Sequence, residues 1–304
     1  MTKLHVQKID TFSGHRDCVY ALQPALQPHH FFSAGGDGMV VHWDLTRPDW
    51  GEVVAQLPTS VYSIAYDSEK NQLWAGQNYE GIQRIAPYEK QVVSSARLTS
   101  AAIFDIQFFE DQAFIALSDG VVLVMDKNEF SVRKHLKATA QSARCISINP
   151  HTREFAVGYS DHRIRVFGLD DHLLRYTLES HTNSVFTLHY SPDGRYLISG
   201  SRDAHLKVWN ISQKYELHQD VVAHMFAINH IVYSPDGQWI ATCSMDKSIK
   251  VWDADTFRLL KVIDRARHAG HGTSINKLLW SSFDNHLISA SDDKRISVWD
   301  IKTV

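Results

Sequence analysis

Hydrophobic residues in this chain fall in short runs that are separated by turn signals. Residues 185–210 show the pattern: an apolar-rich run, VFTLHY, is followed by a Ser-Pro-Asp-Gly turn, a second run, YLISGS, a tight Arg-Asp-Ala turn and a third run, HLKVWN. The same turn recurs at Ser234–Gly237, where proline presets φ and glycine accepts a positive φ. Short β-rich runs between turns are typical of consecutive antiparallel strands. One more strand-like stretch follows each unit, for example Phe257–Ile263, so each unit predicts a four-stranded sheet.

A polar quartet recurs at fixed offsets and ends each time in tryptophan. Counted back from the Trp, the Asp lies six residues earlier, the hydroxyl residue ten and the His twenty-eight. The four quartets are His15, Ser33, Asp37, Trp43; His181, Ser199, Asp203, Trp209; His224, Thr242, Asp246, Trp252; and His271, Ser289, Asp293, Trp299. The Trp-equivalent positions along the whole chain are Trp43, Ile85, Met125, Phe167, Trp209, Trp252 and Trp299. This spacing predicts seven units in one array.

Composition is consistent with such an array. Hydrophobic residues make up 44% and charged residues 21%, no apolar run approaches the length of a membrane span, and the N-terminal residues lack the apolar segment of a secretory signal. Three widely spaced cysteines, Cys18, Cys145 and Cys243, suit a reducing compartment and form no disulfide framework. The net charge of −3 carries no basic runs. We therefore expect one cytoplasmic domain, residues 1–304, with neither nucleic acid nor membrane as its partner.

The Trp-Asp and Trp-Asn pairs at 43–44, 209–210, 252–253 and 299–300 resemble the signature of the WD40 repeat family of β-propellers. Gly14-His15 and Gly270-His271 match it too, with Ser180-His181 and Ala223-His224 as variants. The resemblance covers essentially the whole chain, with four well-formed and three degenerate repeats. It implies an all-β, seven-bladed β-propeller of four-stranded antiparallel sheets around a central channel.

The last blade lacks an outer strand of its own, because only Asp300–Val304 follow Trp299. Residues 3–10 precede the first His as an outer strand should, with Leu4, Val6 and the stem of Lys8 on one side of the pleat. We expect this N-terminal strand to complete blade 7 and close the ring, because an open sheet edge would otherwise remain.

The quartets contain the Ser, His and Asp of a catalytic triad, but we interpret them as structural. A triad needs a hydroxyl facing substrate and an oxyanion hole, whereas here the set occurs four times with an indole at its end. Trp donates, a hydroxyl and a neutral imidazole both donate and accept, and Asp accepts, so the four groups can satisfy one another in order. In WD40 relatives such a relay ties the strands of a blade to its loops.

The degenerate blades lose these partners together. Blade 2 has Leu57, Ala75, Tyr79 and Ile85 at the four positions; blade 3 has Ala116 and Met125; blade 4 has Thr139, Val157 and Phe167. Concerted replacement by apolar packing avoids unpaired buried groups, as a structural network requires. Asp119 and Asp161 remain, and we expect them to serve the backbone of the tight turn.

Other patterns predict no cofactor and no metal site. His29-His30 and His268-x-x-His271 lack a Cys or carboxylate that completes a ligand shell in the sequence, and His271 belongs to a quartet. Gly35-Gly36-Asp37-Gly38 is followed by no Gly-Lys-Ser/Thr, and we interpret it as a turn between strands.

The resemblance implies that partners bind the top face of the propeller, at the start of the innermost strands and just before the turn Asp. The innermost-strand positions are Tyr20, Tyr62, Phe104, Arg144, Phe186, Asn229 and Asn276. The companion positions are Gly36, Asn78, Ser118, Ser160, Arg202, Met245 and Asp292. Because aromatics and Arg dominate interface energetics, we expect Tyr20, Tyr62, Phe104, Arg144, Phe186 and Arg202 to bind a segment with acidic and apolar or aromatic residues, although an aromatic there can instead pack between blades. Asn229, Met245 and Asn276 complete the expected partner-binding set.

Three classes of function fit these observations. The favoured one is a non-enzymatic protein-interaction scaffold, monomeric as a fold unit, that works alone or within a larger complex. A propeller enzyme or small-ligand-binding propeller would need convergent His, Glu or Asp side chains at the channel mouth. A substrate-receptor subunit of a ubiquitin ligase often carries Trp-Asp-x-Arg, whereas Trp43-Asp44-Leu45-Thr46, Trp252-Asp253-Ala254-Asp255 and Trp299-Asp300-Ile301-Lys302 do not match.

Overall fold

The computed structural model describes residues 4–303 and contains seven four-stranded antiparallel sheets. The chain is thus a seven-bladed β-propeller, as the repeat spacing and the family resemblance predict. The described residues form two compact units. The extent of a single domain, 1–304, stays a prediction.

The first unit runs up to Gln77, resumes from Ile82 to Ser95 and continues from Asn229. It contains four of the sheets, which we number by their order in the chain as sheets 1, 2, 6 and 7. Their strands are β2 (Val19–Pro24), β3 (His30–Gly35), β4 (Met39–Asp44) and β5 (Gly51–Gln56) in sheet 1; β6 (Val61–Asp67), β7 (Gln72–Gln77), β8 (Gly81–Ala86) and β9 (Gln91–Ala96) in sheet 2; β22 (Ile228–Tyr233), β23 (Trp239–Ser244), β24 (Ile249–Asp253) and β25 (Leu259–Ile263) in sheet 6; and β1 (Leu4–Phe12), β28 (Ile296–Thr303), β27 (Leu287–Ser291) and β26 (Ile275–Trp280) in sheet 7. A short helix, α1 (Arg265–His268), precedes β26.

The second unit comprises Asn78–Gly81 and Ala96–Ile228 and contains sheets 3 to 5. Their strands are β10 (Ile103–Phe109), β11 (Gln112–Leu117), β12 (Val121–Asp126) and β13 (Ser131–Lys137) in sheet 3; β14 (Ala143–Asn149), β15 (Glu154–Tyr159), β16 (Arg163–Gly168) and β17 (Leu174–Glu179) in sheet 4; and β18 (Val185–Tyr190), β19 (Tyr196–Ser201), β20 (His205–Asn210) and β21 (Glu216–Val222) in sheet 5.

Burial differs between the strands of one sheet. The second strands, such as β19 and β23, are buried along nearly their whole length, including the hydroxyl residues Ser199 and Thr242. The fourth strands are mostly exposed, and β13 buries only Leu136 fully. The first three strands of a sheet therefore supply most of its core, and the fourth strand has one face exposed to water.

The predicted N-terminal strand completes sheet 7. β1 pairs antiparallel with β28, with Leu4 opposite Thr303, Val6 opposite Ile301 and Lys8 opposite Trp299. Leu4 and Val6 pack in one core cluster with Trp299, and the Lys8 ammonium lies 5.8 Å from the centroid of that indole. This confirms the expected closure of the last blade, although residue 3 lies outside the described residues.

The predicted turns have the expected chemistry. Ser191 Oγ accepts a hydrogen bond from the Tyr196 amide (2.9 Å) and donates to Asp193 (2.6 Å), while the Gly194 amide donates to the Ser191 carbonyl (2.9 Å) at a φ of 71°. The run expected to begin at Phe257 forms a strand only from Leu259. Phe257 itself is buried in the preceding turn at a φ of 55°, because its ring fills the core there.

The pairing of β1 with β28 can be tested by truncating its buried face. We expect Leu4→Ala with Val6→Ala to lower the free energy of unfolding by about 3 kcal/mol, because both side chains leave cavities in a packed core. The matched control is His5→Ala with Gln7→Ala on the exposed face of the same strand. Urea denaturation measures both. Equal midpoints for the two double variants would contradict the packing described here.

Candidate functional site

The polar quartets of sheets 1, 5 and 7 are hydrogen-bonded from end to end. In sheet 5 the Trp209 indole donates to Ser199 Oγ (2.9 Å), that oxygen lies 2.8 Å from His181 Nε2, and His181 Nδ1 lies 2.9 Å from Asp203 Oδ2. The corresponding Trp–Ser, Ser–His and His–Asp distances are 2.7, 2.7 and 3.0 Å in sheet 1 and 2.9, 2.9 and 2.8 Å in sheet 7. In sheet 6 the Trp252 indole donates to Thr242 Oγ1 (3.0 Å), and His224 is buried.

The donor and acceptor groups of the four side chains determine which atom donates in each hydrogen bond of this relay. The carboxylate only accepts, so His181 Nδ1 carries the proton and Nε2 accepts from the Ser199 hydroxyl. Burial lowers the pKa of His181, which keeps the ring neutral. Burial alone would raise the pKa of Asp203, but hydrogen bonds from His181 and from the backbone amides of Thr182 and His205 hold it well below its ordinary value.

The serine hydroxyls of the quartets do not face solvent. Ser33, Ser199 and Ser289 each have 0% exposure, and each receives an indole hydrogen bond. A nucleophilic serine needs a substrate within reach of its oxygen. The quartets therefore lack the accessibility that acyl-transfer chemistry requires.

Sheet 4 is braced by an ion pair that sequence analysis does not identify. Arg165, on the third strand, donates to both oxygens of Asp161 (3.1 and 2.8 Å), and its guanidinium lies 4.8 Å from the centroid of the Tyr159 ring. Asp161 also accepts from the Arg163 amide (3.3 Å), which is the expected turn hydrogen bond. Its carboxylate therefore has both the turn bond and the ion pair. In sheet 3, Asp119 accepts from the Val121 amide (3.2 Å), as expected for a turn residue. The apolar replacements are buried: Leu57, Ala75, Ile85, Ala116, Met125, Val157 and Phe167.

The residues expected to contact a partner occupy β-bulges. Register along the first strand of a sheet skips one residue, and in six sheets the skipped residue is the predicted one. These residues are Tyr20, Tyr62, Phe104, Arg144, Phe186 and Asn276. A bulge leaves its extra residue outside the ladder and re-aims the side chain. The repeated bulge explains why one position per sheet presents its side chain differently from its neighbours.

In the second unit, Arg144 lies between two aromatic rings. Its guanidinium carbon is 4.4 Å from the centroid of Phe104 and 5.1 Å from that of Phe186, and its Nε donates to Ser160 Oγ (3.1 Å). All three side chains are half-buried, and the predicted residue Arg202, in the same unit, is exposed. We call Phe104, Arg144 and Phe186 the arginine–aromatic cluster.

In the first unit the predicted residues differ in their contacts. Tyr20 and Tyr62 lie with ring centroids 4.8 Å apart, and Met245 is 50% exposed. The Asn276 amide donates to the Val19 carbonyl (3.0 Å) and to Asp292 (2.7 Å), and Asn229 donates to Ser274 Oγ (3.0 Å) and the Ile275 carbonyl (2.8 Å). Both amide groups therefore connect one sheet to the next.

The remaining patterns are placed as follows. Gly35–Gly38 lies between β3 and β4 as a turn, with Gly38 at a φ of 72°. His271 belongs to the relay and His268 ends α1. His29 and His30 precede and begin β3, where the structure also brings the carboxylate of Asp44. Among the described residues no helix has the length and apolar character needed to cross a membrane.

Removing one relay hydroxyl tests its structural role. Ser199→Ala leaves the Trp209 indole and one His181 nitrogen without a partner, so we expect the free energy of unfolding to fall by about 2–4 kcal/mol. Ser212→Ala, at an exposed serine of the same sheet, is the control. Thermal or urea denaturation measures both, and a Ser199→Ala protein as stable as the control would show that the relay is dispensable.

The neutral state of His181 predicts a pH dependence. Below the ordinary imidazole pKa of 6.5 the unfolded chain binds a proton at His181 that the folded chain does not, because burial lowers the folded pKa. Stability is therefore lost as the pH falls from about 7 to 5. His181→Gln removes this contribution, and its free energy of unfolding should vary less over that range, as measured by urea titrations. An unchanged pH dependence in the variant would contradict a buried neutral imidazole.

Comparisons with known proteins agree with this geometry. The family model described as "WD domain, G-beta repeat" matches residues 6–44, 173–210, 215–253 and 264–300, which together make up half of the chain and contain the four quartets. Protein groucho of Drosophila melanogaster is 28% identical over 228 residues, covering 70% of this chain and 30% of groucho. Striatin-3 of Mus musculus is 24% identical over 260 residues, covering 73% of this chain and 31% of striatin-3.

The chain therefore spans about a third of the length of these curated relatives. Among solved structures, the WD40 beta propeller domain of Doa1 superposes with a TM-score of 0.84 at 21% identity, covering 97% of this chain and 96% of that chain, a likeness of fold. With its seven four-stranded sheets, its buried quartets and the matched repeats, this chain belongs to the WD40 repeat family.

Proposed function

We propose that this chain is a non-enzymatic protein-interaction module, and that its arginine–aromatic cluster binds an acidic peptide segment of a partner protein. The observation that carries the proposal is the position of the Arg144 guanidinium between the rings of Phe104 and Phe186. A planar guanidinium that stacks on aromatic faces keeps its in-plane donors for carboxylates. Arginine and aromatic side chains are also the groups that contribute most to protein interfaces.

The stacking supports recognition because it reduces the entropy that binding would otherwise lose. An isolated arginine has many rotamers, and ordering such a side chain costs about 0.5–1.5 kcal/mol on association. Here Ser160 accepts from Nε, and the rings of Phe104 and Phe186 pack close to the guanidinium, so Arg144 is already positioned. The exposed Arg202 adds a second positive charge in the same unit. An acidic residue next to an apolar or aromatic one would complement this chemistry.

The first unit carries a separate candidate contact, the half-buried Tyr20 and Tyr62 pair and the exposed Met245. The side-chain NH2 groups of Asn229 and Asn276 both donate to the adjacent sheet. We therefore assign these two residues to bracing between sheets. The alternative of a propeller enzyme would require acidic or imidazole side chains at the bulge positions, which instead carry aromatics, Arg144 and Asn276. No contact described here favours the ubiquitin-ligase receptor over other interaction modules.

The proposal is tested by peptide selection against the whole chain. We expect peptides selected from a random displayed library to be enriched in Asp or Glu next to apolar or aromatic residues. Arg144→Ala and Phe104→Ala should each weaken their binding at least tenfold, which corresponds to about 1.4 kcal/mol. Arg144→Lys should also bind weakly, because an ammonium cannot reproduce the stacked planar donor set. Fluorescence polarisation measures the dissociation constants.

The matched control is Arg163→Ala, which removes an exposed arginine of the same sheet that pairs with Glu179 (2.8 Å). Its affinity for the selected peptides should equal that of the wild type, and circular dichroism should show that all variants are folded. Selected peptides that bind Arg144→Ala as tightly as the wild type would refute the assignment of this cluster.

A further inference from the structure

Two histidines and one aspartate meet at the edge of sheet 1. A ring nitrogen of His29, a ring nitrogen of His30 and a carboxylate oxygen of Asp44 all lie within 4.8 Å of one another. The strand register produces this meeting: His30 begins β3, Asp44 ends β4, and the two residues are directly opposite in the antiparallel ladder. The imidazoles of His29 and His30 lie with centroids 4.2 Å apart.

The polar atoms of this cluster are not satisfied by one another. His30 Nε2 is 3.7 Å from Asp44 Oδ2, too far for a hydrogen bond, and His30 Nδ1 is buried without a hydrogen-bond partner. Asp44 Oδ1 accepts from both the amide (2.9 Å) and the hydroxyl (2.6 Å) of Thr46, which orients the carboxylate and leaves Oδ2 towards His30. His30 Nε2 is therefore the ring nitrogen that a ligand shared with Asp44 would engage.

We propose that His29, His30 and Asp44 bind one divalent transition-metal ion, with Zn²⁺ as the ion that this ligand set fits. Two imidazoles and one carboxylate supply three of four tetrahedral positions and leave the fourth to water. At metal–ligand distances of about 2.0–2.2 Å, tetrahedral ligands lie about 3.3 Å apart. The His30 to Asp44 separation needs to close by only a few tenths of an ångström, and the half-buried His29 supplies the larger adjustment.

The surroundings support an accessible but ordered site. The ring of His42 packs edge-on against His30 with centroids 4.6 Å apart, and the ring of Phe283 lies 5.8 Å from that of His29, so both ligands are held by packing. His30 also lines a cleft of about 300 Å³ beside Pro28, Leu279 and Trp280, which gives an ion a route from solvent. The site lies within the first unit and is separate from the arginine–aromatic cluster.

The test is calorimetric titration of the metal-free full chain with Zn²⁺, together with Co²⁺ absorption as a probe of coordination. We expect one tightest site per chain and a visible Co²⁺ band of tetrahedral type. His29→Ala and Asp44→Asn should each weaken Zn²⁺ binding at least tenfold and abolish the Co²⁺ band. Asparagine still accepts from Thr46 through its oxygen, so Asp44→Asn removes the charged ligand and keeps the turn.

Asp253→Asn is the matched control, because Asp253 caps Thr256 at the equivalent position of sheet 6 in the same way, at 2.8 Å from the amide and 2.7 Å from the hydroxyl. A further control, His162→Ala, removes an exposed histidine of the second unit. Both controls should retain wild-type affinity. The proposal is overturned if the wild type binds no Zn²⁺. It is also overturned if His29→Ala binds Zn²⁺ as tightly as the controls, because this change at a half-buried side chain is the milder of the two.

Discussion

In each blade that keeps the polar quartet, one buried hydroxyl connects neighbouring strands. In sheet 5 the Ser199 oxygen accepts from the Trp209 indole and donates to the His181 imidazole, two roles that one hydroxyl can combine. Ser199 lies on the second strand, Trp209 on the third, and His181 on the loop that leads into the first. The bond pair therefore joins three elements through one oxygen that has no contact with solvent. Buried and fully paired networks of this kind rigidify what surrounds them.

Asp203, at the carboxylate end of the relay, connects the strands to the backbone of the loops. Asp203 accepts from the Thr182 amide (2.9 Å) and the His205 amide (3.0 Å) as well as from His181. These amides lie on either side of the blade end, one before β18 and one at the start of β20. The first strand then begins at Val185, and its bulge presents Phe186. The relay thus orders the loop ends beside Phe186, although the same bulge also forms in sheets 3 and 4, which lack the quartet.

The regular parts of this molecule are predictable from sequence because they repeat. Fixed offsets to tryptophan predict the number of sheets, and the short remainder after Trp299 predicts that the N-terminal strand completes sheet 7. Site details depend on contacts that no local pattern records. In sheet 4 Arg165 binds Asp161, the carboxylate that a histidine at another sequence position binds in the intact quartets. The side-chain amide of Asn276 donates to the backbone of the next sheet. Asp44 meets His30 only because strand register sets them opposite. These pairings are tertiary, so they require coordinates.

In the second unit, the bonds that brace a sheet do not depend on which residue occupies its bulge. Phe104 and Arg144 come from sheets 3 and 4, which lack the quartet, while Phe186 comes from sheet 5, which has it. Sheet 3 replaces the hydroxyl and the indole by Ala116 and Met125, and sheet 4 adds the bidentate pair of Arg165 with Asp161. These solutions meet one common requirement, since apolar side chains replace the lost hydroxyl and indole, and Arg165 pairs the Asp161 that remains. The bulge residue is outside the ladder in all three sheets, so its identity does not enter that requirement. In these three sheets the bulge residue can therefore change without altering the bracing below it.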